Sequence, residues 1–255
     1  LFSTERVKVM VKYAERYYSQ ISVLLEGTYH SQKETIGTVA RVLADTIEAK
    51  HTIWTFGCTH GSMLAAEMYY RAGGLIPVKG IFAPGLWLDQ IPVTRTSNLE
   101  KLEGYGKVIL DGLPLQTGDV LIVTSTSGKN AVPVEVALEG KARGLTVVAL
   151  TSLEYSKQIE AGHSSAEKLY TIADIVLDNG APYGDALISY PGFPGFAGAV
   201  GATSTITGAL LLNAIVVETV GLLLEDGFDP PVYMSGNIKG GMEHNKRVIN
   251  DYSSP

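Results

Sequence analysis

A chain of 255 residues that is 45% hydrophobic and 18% charged is long enough for one large α/β domain or two small ones, and apolar enough to bury a core. Its net charge of −6 argues against nucleic acid as a partner, because holding a phosphate backbone takes clustered Lys and Arg. The single cysteine, Cys58, excludes an internal disulfide and points to a reducing cytoplasm.

The chain opens with a helical pattern. Residues 4–25 place Val7, Met10, Val11, Ala14, Tyr17, Tyr18, Ile21 and Leu25 at helical spacing, and the charges scattered through residues 1–25 are unlike a signal peptide. Gly27 is expected to end this helix. Ser31 and Glu34 have the spacing of a capping box for a second one, with Ile36, Val39, Ala40, Leu43 and Ile47 on one face. The expectation is an N-terminal helical hairpin packed on the domain or on a second subunit.

Strands and helices then alternate. The pattern gives a strand at 51–56, a helix at 62–71, a strand at 78–83 and a long connection at 84–106 with one short helix at 97–103. A strand at 119–124, a helix at 131–141 and strands at 146–151 and 172–177 follow. Such alternation predicts an α/β fold: a five-stranded parallel sheet between two helix layers, a three-layer αβα sandwich. In that architecture ligands bind outside the carboxyl ends of the strands, where strand order reverses. The stretch 179–201 is rich in Gly, Pro and aromatics, and a loop of that length is functional or an interface arm. Residues 206–224 form an apolar run broken by Asn213 and Glu218, which favours a buried core or interface helix over a membrane span. The tail, 229–255, shows no periodicity and is expected to end as an exposed strap or disordered segment.

Three polar turns carry the candidate chemistry. Residues 119–134, DVLIVTSTSGKNAVPV, read as a buried strand, a hydroxyl-rich turn and a helix start. Ser125, Thr126 and Ser127 supply three hydroxyls, Gly128 lets a ligand approach the backbone, Asn130 is a good N-cap, and Pro133 fits a first helical turn. The helix start behind them makes a cradle for an anion, most naturally a phosphate. The turn GCTHGS at 57–62, and Thr203, Ser204 and Thr205 ahead of the last helix, repeat the combination of small hydroxyl residues with a helix start. All three are expected to converge. The spacing fits neither a dinucleotide fingerprint nor a Walker loop, and no acid follows the second strand to hold a ribose. Lys129 is either an anion partner or a solvated surface lysine. No His, Cys or carboxylate pair has metal-ligand spacing, so neither a metal nor a cofactor is expected. Cys58 reads as a packed thiol rather than a nucleophile.

The strand, the STSG-x-N turn and its helix, followed by ARGLTVVALT at 142–151, resemble the sugar isomerase (SIS) domain, whose motif is Ser-x-Ser-Gly-x-Thr after a strand of the form Asp-x-x-Ile/Leu. The GCTHGS turn ahead of MLAAE at 63–67 is similar to that family's other Gly/Ser turn. The resemblance covers roughly residues 36–226 and divides the chain into an N-terminal helix (1–30), a SIS domain (31–226) and a C-terminal tail (227–255). It implies a flavodoxin-like sheet, a phosphorylated sugar or amino sugar as ligand, and a homodimer or higher homo-oligomer formed through helices; the net charge and the polar residues of the 206–224 run add the expectations of no nucleic acid and no membrane. By position, Ser125, Thr126, Ser127 and Asn130 would hold the phosphate, with Asn130 standing where Thr is common. Thr59, His60 and Ser62 would line the sugar side, and Gly57, Gly128, Thr203 and Ser204 complete the expected site.

Phosphoheptose isomerases and N-acetylmuramic acid 6-phosphate etherases of that family carry a glutamate on the helix after the first strand. Here that is Glu67, either a general base or acid or the partner of Arg71 one helical turn on. The isomerases' histidine on the last helix has its counterpart at Asn213, closer to the etherase pattern. His60 is the best-placed second partner; Glu103, His163, His244 and Glu218 are the others, with Glu218 reading as a structural carboxylate. Three readings stay open: an aldose–ketose isomerase with Glu67 as base and His60 as partner, an etherase-like lyase with Glu67 as acid, and a non-catalytic phosphosugar sensor.

Overall fold

The computed structural model describes residues 12–193 and 195–253. Its first element, α1 (Lys12–Glu48), is one helix of 37 residues rather than the expected hairpin. A single exposed glycine costs a helix about 1 kcal/mol against alanine, and nothing crowds Gly27. Burial of Val39, Ala40, Leu43, Ala44 and Ile47 outweighs that cost. Ser31 starts no new helix, because its hydroxyl donates back to the Thr28 carbonyl at 3.0 Å. The expected helix start at Thr4, with Val7, Met10 and Val11, lies outside the described residues.

The chain continues through β1 (Ile53–Gly57), α2 (His60–Met68), β2 (Val78–Ile81), α3 (Thr94–Leu99) and α4 (Tyr105–Leu110). Next come β3 (Val120–Thr124), α5 (Ala131–Ala142), β4 (Thr146–Thr151), α6 (Leu153–Gln158), α7 (Leu169–Ile172) and β5 (Ile175–Asp178). The five strands form one parallel sheet in the order β2-β1-β3-β4-β5. Ile53 pairs with Val78 and Val120, Val120 with Thr146, and Val148 with Ile175.

Alternate side chains of each strand face opposite layers. Ile53, Ile122, Val148, Leu150 and Leu177 pack with Leu43, Ile47, Leu64 and Ile215 on one face. Phe56, Leu121, Val123, Val147 and Ala149 pack with Val132, Val136, Ala137 and Leu169 on the other. Both faces are therefore apolar, which is why residues 120–123 read as an unbroken apolar run. Asp119 lies just before β3. Its buried carboxylate accepts the Thr52 N–H and the Trp54 Nε1–H at 2.9 Å each, tying the starts of β1 and β3 together.

The 179–201 stretch is not a bare loop. It holds β6 (Ala186–Ser189) and runs into β7 (Ala199–Ala202), the two paired antiparallel. The last long helix, α8 (Ser204–Glu225), is long and apolar enough to cross a membrane by length and composition. It packs along α1 and against α2, with Leu211, Leu212, Ile215 and Leu223 in the core. The tail also departs from expectation. Gly73 and Ile76 donate to the Tyr233 and Pro231 carbonyls at 2.8 Å, and α9 (Gly241–Ser253) follows. Val248 is its buried apolar residue, while Met242 is exposed, so only a narrow stripe of this polar helix faces the domain. Residues 254–255 lie outside the described residues.

Candidate functional site

β1 lies between β2 and β3, so the chain leaves β1 to one side and resumes on the other. That reversal opens a crevice at the carboxyl ends of β1 and β3. A cavity of about 300 Å³ occupies it, lined by Thr59, His60 and Gly61, by Ser125, Thr126, Ser127 and Asn130, and by Ser204 and Thr205. Cys58, Glu100, Tyr155, Gly184, Asp185 and Ala202 complete the wall. The three polar turns meet, and the volume suits a small ligand.

The first turn brings α2 close against β3. A Cβ at Gly57 or Gly61 would collide with Thr124, whose hydroxyl donates to the Gly61 carbonyl at 2.6 Å. Gly57 therefore serves close packing and does not line the cavity. Ser62 is turned inward, its hydroxyl donating to the Thr59 carbonyl at 2.5 Å. His60, the first residue of α2, is exposed at the rim.

In the second turn, Gly128 is buried, adopts φ +60° and donates its N–H to Ser125 Oγ at 3.3 Å. This tight closure leaves the N–H groups of Thr126 and Ser127 without a partner among the described residues. They lie at the cavity wall beside the start of α5, where the helix dipole also favours negative charge. Lys129 does not line the cavity.

Asn130 occupies the N-cap position of α5, yet its side chain caps nothing. It bonds to Glu100 instead, while the Glu100 carbonyl accepts the Val132 N–H at 3.0 Å. Glu100 thus satisfies an orphan donor of the helix start and is held beside the hydroxyl turn. It is 8% exposed, and burial pushes its carboxyl above the ordinary glutamate value, with the Asn130 bond and the Lys101 charge partly offsetting the rise. Sequence reasoning missed it. The 84–106 connection has no period, and the one available signal was an acid between Leu99 and Leu102 in a short helix. Burial, with the Glu100 charge adding to it, pushes the Cys58 thiol well up, so Cys58 stays protonated and is a poor nucleophile.

The third turn is occupied by the protein's own carboxylate. Asp185 Oδ1 accepts the Thr203 N–H at 3.0 Å, the Thr203 hydroxyl at 2.6 Å and the Ser204 N–H at 2.8 Å. Its Oδ2 accepts the Ser204 hydroxyl at 2.6 Å. Thr203 and Ser204, expected to hold a ligand, are engaged internally. Asp185 was also missed, for it sits in the Gly- and Pro-rich stretch before β6.

Glu67 lies elsewhere. It pairs with Arg71 and accepts from Asn213 Nδ2 at 3.0 Å, so the two residues singled out on α2 and α8 do meet. The crevice beside them measures about 10 Å³, room for about one water. Glu103 accepts from the Ser164 N–H and hydroxyl at 2.8 and 2.7 Å, bonds that hold its carboxyl below the ordinary range. His163 stands 3.4 Å from Glu135, His244 bonds the Val232 carbonyl at 2.9 Å, and Glu218 is exposed on α8. None of these lines the cavity.

Comparison with known proteins places this geometry in context. The SIS domain model matches residues 16–152. A UPF0309 protein of Shouchella clausii is 38% identical over 239 residues, 94% of this chain and 96% of its own length. One from Halalkalibacterium halodurans is 39% identical over 236 residues, 92% and 93% of the two chains. Among solved structures, the phosphoheptose isomerase of Neisseria gonorrhoeae aligns with a TM-score of 0.54 at 16% identity, covering 83% of this chain and 99% of that one. The enzyme of Francisella tularensis gives 0.54 at 13% identity, covering 82% and 97%. The structural likenesses establish the fold. With the domain model spanning more than half of the sequence and UPF0309 relatives aligned over nearly all of it, the chain belongs to the SIS domain family.

Proposed function

We propose that the cavity binds a phosphorylated sugar or amino sugar and that the chain is an aldose–ketose isomerase acting by proton transfer. One observation carries the reading: the N–H groups of Thr126 and Ser127, unpartnered among the described residues, lie just ahead of α5 at the strand-order reversal. Among the described residues no Lys or Arg lines the cavity, so a phosphate there is met by backbone dipoles and hydroxyls rather than by a cation of these residues. Seating it against Ser125, Thr126 and Ser127 directs the sugar carbons toward Thr59 and His60. His60 is the group placed to pass a proton between the two oxygens of an enediol. Glu67 keeps its pair with Arg71 and takes no part in the transfer within one chain. The phosphoheptose isomerases among the structural neighbours support the same class of reaction.

We also read the active assembly as a homodimer, supported by the apolar stripe that α8 turns outward: Ile206, Val217 and Leu224.

The test is a panel of aldose and ketose phosphates of five to seven carbons, amino sugars included, in a thermal-shift assay, followed by NMR detection of interconversion. At 100 times its Kd a ligand adds about 2.7 kcal/mol to stability, a shift of several degrees. Absence of stabilisation by every member of the panel defeats the binding reading. Binding without interconversion defeats the isomerase and leaves a sensor.

A further inference from the structure

We infer that the pole of the sheet opposite the first cavity holds a second binding site, for a nucleoside di- or triphosphate, lined by Tyr70, Tyr233, Arg71, Lys246 and Lys79. Its occupancy is independent of the isomerase reading. The site lies at the amino ends of β1 and β2, where the loop after α2 meets the tail that carries α9. A cavity of about 560 Å³ there is walled by Tyr70 and Arg71 from the loop and by Tyr233, Asn237 and Lys246 from the tail. A second cavity of about 310 Å³ shares Tyr233 and Ile249 with it and is lined by Lys50, Trp54 and Lys79. The joined space suits a nucleotide. α2 runs between the two poles, with His60 at the first cavity and Arg71 at this one.

The charge of these walls is opposite to that of the chain. With 26 acidic and 20 basic residues the chain carries −6 overall. Yet among the described residues Lys50, Arg71, Lys79 and Lys246 line the two cavities, and no Asp or Glu does. Glu67, the partner of Arg71, lines neither. Lys246 has no hydrogen bond or ion pair among the described residues, and Lys79 holds its ammonium 5.9 Å from the centre of the Trp54 ring. Burial raises the Tyr233 phenol above its ordinary value, with Tyr69 and Tyr70 adding to the rise, so it stays neutral and adds no negative charge. A concave wall of one sign concentrates anions, and a di- or triphosphate carries several negative charges to meet several cations.

The aromatic groups choose among anions. Tyr70 and Tyr233 meet edge to face, their ring centroids 5.2 Å apart at 78°. Tyr70 is 68% exposed, which leaves ring surface open to a planar base. It holds φ +44°, a left-handed conformation that a bulky residue keeps only where its surroundings demand it. The demand comes from the strap: Gly73 donates to the Tyr233 carbonyl at 2.8 Å, and Tyr233 donates back to Gly74 at 2.9 Å. On the facing wall, the Asn245 side chain accepts from the Met234 N–H and donates to the Met234 carbonyl, both at 2.8 Å. Both walls are thus fixed before a ligand arrives, which lowers the cost of binding. The Asn237 side-chain amide has no partner among the described residues and offers a donor and an acceptor to a base edge.

The experiment is isothermal titration of the full chain with ATP, ADP, GTP, adenosine and inorganic tripolyphosphate, repeated for Lys246→Ala and Tyr70→Ala. At least one nucleotide is expected to bind with a Kd below about 1 mM, and adenosine and tripolyphosphate about tenfold more weakly or worse. Lys246→Ala is expected to weaken the nucleotide by about tenfold, the loss of one charge-assisted contact. Tyr70→Ala is expected to weaken it by about fivefold or more, the loss of a stacked ring. In both variants the thermal shift given by the sugar-phosphate panel is expected to match wild type, since neither residue lines the first cavity. Absence of binding by all three nucleotides below about 1 mM overturns the site. Tripolyphosphate binding as tightly as the best nucleotide overturns the nucleotide assignment. Nucleotide binding unchanged within about twofold in both variants overturns the placement and moves the ligand elsewhere. Should Tyr70→Ala not fold, Lys246→Ala decides by the same criterion. A panel in which no sugar phosphate binds defeats the reading of the first cavity and leaves this site standing.

Discussion

Glu100 holds a carboxyl group where little water reaches it, and the cost of that placement is measurable in the empty protein. Its folded pKa is raised above the ordinary value of 4.5. Between those two values the folded chain keeps a proton that the unfolded chain has released, so stability falls as pH rises through that window and stays lower above it. Glu100→Gln removes the ionisation yet keeps an oxygen to accept from Asn130. The variant is therefore expected to unfold at a higher temperature than wild type at about pH 8, with the gain disappearing below about pH 4.5, where both side chains are neutral. Thermal unfolding at the two pH values checks this. Equal melting temperatures at pH 8 would mean that the carboxylate is solvated or paired in solution. A residue that weakens the fold while lining its cavity is what a functional group looks like energetically.

At the scale of elements, helix starts decide what each turn can bind. α5 and α8 both begin at the cavity, but they differ in how their first N–H groups are satisfied. α8 has an internal carboxylate at its start, and Asp185 accepts four hydrogen bonds there. Asp185→Ala is expected to destabilise the protein by about 1–3 kcal/mol, the range for a lost cap and charge-assisted bonds. Urea unfolding measures it, and a change below about 0.5 kcal/mol would show that the contact is dispensable. This difference also explains what was legible in advance. Ser125, Thr126, Ser127 and Gly128 are adjacent in sequence, so strand, turn and helix start could be read together. The sheet followed from alternating patterns, and β4 came out as read because its ends carry Gly144 before it and Ser152 after it. Glu100 and Asp185 approach the site from irregular segments. Their positions depend on tertiary contacts, Glu100 with Val132 and Asp185 with Thr203, that leave no local pattern. The unbroken α1 was hidden for the opposite reason: local signals at Gly27 and Ser31 argued for a stop that packing overrode.

At the scale of the whole molecule, the proposed dimer rests on the apolar surface of α8. Ile206, Leu210, Asn213, Val217, Gly221 and Leu224 recur at intervals of three or four residues and so share one face of the helix. Ile206, Val217 and Leu224 are exposed by 42%, 72% and 60%, while the opposite face of the same helix is in the core. A second copy of the helix crossing the first about a two-fold axis is self-complementary by construction. Each buried aliphatic side chain then contributes about 1.5–3 kcal/mol before the cost of association. Asn213 sits mid-stripe, held by Glu67 and its own helix backbone, and a polar residue at such a place fixes register. Val217→Lys puts a charge at the most exposed apolar position of α8 without touching the core or the cavity. It is expected to halve the mass measured by light scattering from dimer to monomer while leaving the circular dichroism spectrum unchanged. A wild-type chain that is already monomeric at about 100 µM, well above the Kd of a stable homodimer, would remove the dimer and leave the cavity, which one chain forms by itself, untouched.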